Sequence, residues 1–412
     1  MIHNFVLYTQ CFPPSADPES YCTARFASAL AAYGHQVTVV TPDRVLQMDD
    51  SVYRKLVDPR VRVVYVPVKR VAKKPFWSRL KYFNLNWDVA NFGPCIKCLK
   101  DVLSQIEEPI LITRSQPIDS LTIGWYCRKN AKKWIFHISD PLPSLSLKYT
   151  MQGHWLSVFG WFRYLSTKFW VRQGFKHADA FSVTCDHVLR YFKMMNPQHF
   201  DRIPSFVTTH IGDFKFKQNT EASSLLDPRI KGKVVVHPGV LYRSRQGFEL
   251  IDAVERLNAD GTPCTLLHAG AVDRHVRPRL EASEHAVLFE GESILMSAHA
   301  TQRADVVFIP NYKIPYGYAL RLMSKFVYQV YEDKPIVVCD YDDSPKHYFA
   351  LKYPEAGIVW ADITKPETLD AALKAAFAMD PSKIDRRAIR QEFSAEHIAR
   401  QFTENVEKLW SK

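Results

Sequence analysis

Phe26-Ala-Ser-Ala-Leu-Ala-Ala-Tyr-Gly-His-Gln-Val-Thr-Val-Val-Thr-Pro42 contains the change of period that decides the fold. From Tyr21 to Tyr33 the spacing is helical, and Gly34 ends the run. Val37 to Val40 is a short, largely β-branched run that stops at Thr41-Pro42. Upstream, Phe5-Val-Leu-Tyr8 reads as a buried strand, followed by a Pro-rich loop from Cys11 to Ser20. Strand, crossover helix and parallel strand make one βαβ unit.

Further strands are expected at Val61 to Val66, Ile110 to Ile112, Trp134 to Ile138 and Ala180 to Val183, with helical segments between several of them. A polar, turn-rich passage runs from Gln198 to Lys231, and then the α/β grammar restarts. Val234 to Val236, Thr265 to His268, Val287 to Phe289, Val306 to Ile309, Ile336 to Cys339 and Gly357 to Trp360 read as strands, with a helix around Glu249 to Leu257. Ala388 to Leu409 reads as one or two amphipathic helices. The expected organisation is two doubly wound, Rossmann-like α/β lobes facing a cleft, residues 1–215 and 216–385. Residues 386–412 are expected to follow as a separate helical segment.

The 412 residues are 47% apolar and 24% charged, which excludes disorder. No apolar run approaches the roughly 18 residues needed to span a bilayer, and the start lacks signal-peptide grammar, so a cytoplasmic protein is expected. The eight scattered cysteines suit reduced thiols, and Cys95-Ile-Lys-Cys98 is only half of a zinc-site spacing. GxGxxG is absent after the first strand, which argues against a nicotinamide dehydrogenase. The net charge of +11 is uneven: residues 1–215 hold 28 bases and 16 acids, whereas the remainder holds 26 bases and 27 acids. The first lobe is therefore expected to face a polyanion.

Several segments resemble GT-B glycosyltransferases of the GT4-like families: Phe12-Pro-Pro, the Phe26–Pro42 stretch, Ala178-Asp-Ala-Phe-Ser-Val-Thr184, Arg303-Ala-Asp-Val-Val-Phe-Ile-Pro310 and Ser324 to Val338. Arg390 to Phe402 is similar to the terminal helix of that fold, which implies that residues 386–412 return to the first lobe. The two donor-site glutamates usual in retaining members are replaced by Leu320 and Tyr328. Phe136-His-Ile-Ser-Asp140 with Leu322-Met-Ser-Lys325 looks more like the xanthan-type, membrane-associated β-glucuronosyltransferases, which are inverting.

On that resemblance Asp140, where a strand of the first lobe opens into the cleft, is the expected general base for the acceptor hydroxyl; a turn cap before Pro141 is the alternative. His137 reads as a buried, hydrogen-bonded histidine. Ser324 and Lys325, with Met323, are expected at the donor diphosphate; a helix cap with a solvated lysine is the alternative. Arg243 and Arg245 are second phosphate candidates or ordinary surface arginines. Glu292, Asn311 and Tyr312 match positions bordering the nucleoside or donor pocket. Asp340-Tyr-Asp342 spells DxD, but it follows a late strand, so neither a metal nor another cofactor is expected.

Lys69 to Phe83 and Trp155 to Lys176 interleave bases with aromatics. This suits an anionic membrane interface, or a core-facing stripe with a solvated basic back; no nucleic-acid motif accompanies it. The expectation is a glycosyltransferase at the inner face of the cell membrane, moving a sugar from a nucleotide donor, UDP-glucuronate among the candidates, to a lipid-linked or saccharide acceptor. A retaining GT4-like transferase, a sugar-nucleotide epimerase and a degenerate binding subunit are the alternatives.

Overall fold

The computed structural model describes residues 1–15, 17–43, 55–68, 76–84, 87–115, 118–143, 158–213, 227–241, 247–289, 294–311 and 320–410. The chain begins β1 (Asn4–Thr9), α1 (Pro18–Ala32), β2 (Gln36–Asp43), β3 (Arg62–Pro67), α2 (Phe76–Tyr82), α3 (Phe92–Ser104), β4 (Ile110–Ser115) and α4 (Asp119–Cys127). Next come β5 (Lys133–Ile138), α5 (Val158–His177), β6 (Ala180–Val183), α6 (Asp186–Met195) and β7 (Ser205–Val207). Then follow β8 (Lys233–Pro238), α7 (Phe248–Ala259), β9 (Cys264–Ala269), α8 (Arg277–Glu281), β10 (Ala286–Phe289), α9 (Ile294–Arg303) and β11 (Val306–Pro310). The last elements are α10 (Ser324–Gln329), β12 (Ile336–Asp340), α11 (Pro345–Lys352), β13 (Ile358–Asp362), α12 (Pro366–Ala378), α13 (Arg387–Glu392) and α14 (Ala395–Glu407).

Two compact units result: Met1–Ile211 with Tyr316–Arg321 and Ser394–Lys412, and Gly212–Pro315 with Leu322–Phe393. The first holds a seven-stranded sheet of order β3-β2-β1-β4-β5-β6-β7, the second a six-stranded sheet of order β10-β9-β8-β11-β12-β13. Every recorded strand pairing is parallel. The central strands are buried on both faces, which is why they read as continuous apolar runs rather than alternating ones. β7 lies inside the stretch read as turn-rich, because three half-buried residues at a sheet edge are too few to show a period.

Local chemistry fixes where elements begin. Asp17 caps α1 by accepting from the Ser20 N–H at 2.9 Å, Pro18 follows in the first turn, and Gly34 (φ +105°) turns the chain into β2. Two Ala-Asp dipeptides act alike in the two sheets. Asp179, before β6, accepts from the Trp134 N–H at 2.8 Å and pairs with Lys133 at 3.1 Å. Asp305, before β11, accepts from the Val234 N–H at 2.8 Å and pairs with Lys233 at 3.2 Å. Each carboxylate ties the start of one strand to the start of its neighbour.

Helix α14 is capped by Ser394, which accepts from the His397 N–H, and buries Ile398, Phe402 and Val406. The Phe402 ring meets Phe26 of α1 edge-on at 5.0 Å, and Phe5 and Phe206 each at 5.7 Å. The last helix is thus part of the first unit's core.

In the second unit Arg386 is only 3% exposed and donates to the carbonyls of Ala356 (2.7 Å), Gln329 (3.2 Å), Glu332 and Lys334 (2.6 Å). Burial pulls its guanidinium down to about 10, still charged at neutral pH. It ties the end of α10 and the turn after it to the segment before β13. Arg386→Met should therefore cost about 3 kcal/mol or more of stability in denaturant unfolding, since the acceptors lose their donor in a buried site; a loss below 1 kcal/mol would contradict this role.

Candidate active site

In a doubly wound sheet the polar groups that ligands meet stand at the carboxyl ends of the strands, where the strand order reverses. In the first unit that point lies between β1 and β4, and Arg114 pairs in register with Thr9 there. Arg114, 3% exposed, brings Nε to 3.4 Å from Glu19 Oε1 and stacks over the Phe26 ring at 5.1 Å. Glu19 is in the first turn of α1 and is itself buried. The Ser139 hydroxyl donates to its other oxygen at 3.0 Å.

Ser139 lies just beyond β5 and is held from several sides. His137 Nε2 stands 3.3 Å from its hydroxyl, and Thr184 Oγ1 donates to its carbonyl at 2.8 Å. His137 Nδ1 is 2.9 Å from Ser182 Oγ, so this imidazole is the buried, hydrogen-bonded histidine expected; burial and Arg114 keep it neutral. Asp140 follows directly and accepts from Arg321 Nη1 at 3.0 Å, both side chains being mostly buried.

In the second unit the reversal lies between β8 and β11. Lys325, the second residue of α10, reaches back so that Nζ donates to the Pro238 carbonyl at 2.8 Å, at the end of β8. Gly239 follows with φ +104°, and a Cβ there would lie 2.8 Å from that ammonium. Met323, buried and extended, is the residue before α10, and Ser324 is the first helical residue. The cap position thus belongs to Met323, which makes no side-chain cap bond, rather than to Ser324. His237 and His268, paired in register, stack with Nδ1 atoms 3.0 Å apart, which requires opposite roles for the two nitrogens.

Asn311 is buried at the end of β11, and its amide donates to Asp340. Asp340 and Lys346, both 0% exposed, pair at 2.5 Å. The first aspartate of the DxD spelling is therefore committed to a buried lysine, whereas Asp342 is exposed. Arg243, Arg245, Glu292 and Tyr312 lie outside the described residues.

Three participants escaped the sequence reading: Glu19, Arg114 and Arg321. Asp17-Pro18-Glu19 is a helix-start signature, and Arg114 is a charge ending an apolar run, so both positions could have been marked as strand-end neighbours. The pairing of Arg321 with a residue 181 positions earlier has no local signal.

On α5, Tyr164, Trp170 and Phe175 are buried, yet Trp161, Phe162, Leu165 and Phe169 are exposed, Phe162 by 53%. The helix is apolar on both sides. Phe83, next to α2, packs edge-on against Phe169 at 5.3 Å, and its carbonyl accepts from Ser166 and from Trp170 Nε1. Trp77 of α2 is 79% exposed and Leu80 58%. Arg163, Arg172 and Lys81 are exposed among these side chains. Residues 69–75 and 155–157 of the basic and aromatic segments lie outside the described residues. Among those described, no helix is long and apolar enough to cross a membrane.

No protein-family model and no curated protein matches this chain. Among solved structures it is similar to Anabaena HepE in complex with UDP-glucose, at 12% identity and a TM-score of 0.66, covering 98% of this chain and 99% of that one. A glycosyltransferase from Rickettsia africae matches at 11% identity and TM-score 0.58, covering 99% of both. A Listeria monocytogenes protein described as a UDP-N-acetylglucosamine 2-epimerase matches at 11% identity and TM-score 0.55, covering 99% of this chain and 97% of that one. Two parallel α/β units in one chain, with these relatives in shape, constitute a GT-B-like architecture.

Burial lifts the Glu19 carboxyl from 4.5 to about 7; Arg114 and the Ser139 hydrogen bond oppose the rise, and Asp140 and Asp17 add to it. The folded state thus favours the protonated form. Its stabilising effect is complete below about pH 4.5 and is lost as pH rises through about 7. Comparing wild type with Glu19→Gln by urea unfolding from pH 4.5 to 8 should show the variant gaining on the order of 3 kcal/mol relative to wild type across that range. Parallel curves would refute the shift.

Proposed function

We propose that the protein is a glycosyltransferase that moves a sugar from a UDP-linked donor, UDP-glucuronate among the candidates, to a lipid-linked acceptor in polysaccharide or glycolipid assembly. One observation carries the reading: an ammonium set on the last carbonyl of β8, at the strand-order reversal of the second sheet, beside a glycine that leaves it room. Positive charge there suits a nucleoside diphosphate and would stabilise it as a leaving group without a metal ion. Glycosyltransferases and UDP-glucose complexes among the structural neighbours support the same chemistry.

In this reading Asp140 is the general base that takes the acceptor hydroxyl's proton as the oxygen attacks the anomeric carbon, inverting its configuration. Arg321 fixes the carboxylate's direction. Lys325→Ala should weaken UDP binding severalfold or more in calorimetry. Asp140→Asn should leave UDP affinity intact and lower transfer by roughly 100-fold, measured with a panel of UDP-sugars and membrane extract. Near-normal transfer by a folded Asp140→Asn would overturn the assigned mechanism. Donor isomerisation without acceptor would instead favour an epimerase, the activity named for the Listeria neighbour.

The exposed aromatic and basic surface of α2 and α5 supports peripheral attachment to the anionic inner face of the cell membrane, which would bring the first unit to a lipid-linked acceptor. Sedimentation with vesicles should be strong for anionic lipid, weaker for neutral lipid, and reversed by high salt, each engaged base contributing about 1 kcal/mol. Equal, salt-insensitive binding to both vesicle types would count against it.

A further inference from the structure

The Glu19 carboxyl has no part in the chemistry assigned to Asp140, yet it is buried at the strand-order reversal of the first sheet and tied to the residue before Asp140. Ser139 gives its hydroxyl to Glu19 and its carbonyl to Thr184, so the turn that presents Asp140 is held from α1 on one side and from the end of β6 on the other. Resting on the reading of Asp140 as the base, we propose that Glu19 is a positioning residue, whose carboxylate, acting through Ser139, sets the turn that carries Asp140.

The groups facing Glu19 come from several neighbouring elements. Arg114 stands on β4, Ser139 and Asp140 follow β5, Asp17 precedes α1, and Thr23 of α1 approaches at 3.4 Å. His137, neutral and bonded to Ser182, adds no charge to the set. Two of the neighbours bind the ionised form, Arg114 by charge and Ser139 by donating its proton. Burial and the two aspartates act against that form. A carboxyl balanced in this way changes its acceptor pattern when it gains a proton: Ser139 then meets a carboxylic acid and the ion pair with Arg114 is lost. The position of Asp140 should follow.

Two readouts test this. The first needs no activity. In wild type the stability-versus-pH curve should bend near the Glu19 titration, and in Asp140→Asn, where one repelling charge is gone, that bend should move to lower pH by about half a unit or more. An unmoved bend in a folded Asp140→Asn would overturn the coupling; Arg321→Gln, which should move the bend upward by removing a cation from the same corner, serves if Asp140→Asn does not fold.

The second is the pH profile of transfer from UDP-glucose with membrane extract. Glu19→Gln and Ser139→Ala should each lower turnover roughly tenfold to a hundredfold, the scale of a misplaced catalytic group, with UDP affinity unchanged. Each should also remove the acid limb near pH 7, and the double variant should be no worse than either single one. Full turnover with an unaltered pH profile in Glu19→Gln would overturn the proposal, as would losses that merely follow the melting temperature. If wild type transfers no sugar from any donor, the reading of Asp140 as a base falls. The bend then still decides whether Glu19 governs the Asp140 turn.

Discussion

A parallel strand ladder has to be covered on both faces, and that constraint governs the placement of everything polar in this protein. With the central strands buried on either side, their middles are mainly apolar, and the ionisable groups they carry lie toward their ends. Charge collects where the ladder stops. Asp179 and Asp305 sit at strand starts and join neighbouring strands; Arg114, Asp140, Asn311, Asp340 and Lys325 sit at or beyond strand ends, or reach them. Strand-start and strand-end groups are thereby separated to opposite edges of each sheet.

The strand-end groups differ in how much their burial is repaid. In the second unit, Asp340 and Lys346 are wholly buried and in direct contact, with Asn311 as a further donor; such a pair is costly to break. In the first unit, Glu19 is also buried, but its arginine is 3.4 Å away and not aligned as a hydrogen-bond donor. That incomplete compensation is why Glu19 titrates near neutrality, as groups in functional sites often do. The contrast separates a committed polar cluster from a responsive one.

Helix α5 shows a different kind of conflict. A helix covering a parallel sheet ordinarily turns a polar face to solvent, yet this one exposes Trp161, Phe162, Leu165 and Phe169 while burying Tyr164, Trp170 and Phe175. These exposed rings among arginines are the observation on which the proposed membrane contact rests.

How far the sequence reached can be followed residue by residue. The strand runs, the Gly34 stop and the restart of the α/β grammar at Val234 were legible because they rest on periodicity, which is local. Asp140 and Lys325 were read as a strand-end and a helix-start residue, which is where the structure places them. The sequence could not tell which side of α5 would face out, because both sides carry aromatics. It could not pair Arg321 with Asp140, or Glu19 with Ser139, because those contacts join segments 181 and 120 positions apart. Nor could it show that Lys346 and Asn311 pack against Asp340, which only folding brings about. Sequence by itself determined the two α/β units and the residues at their strand ends. Tertiary structure alone decided which of those residues share a proton, a charge or a hydrogen bond, because burial and distance are properties of the packed chain.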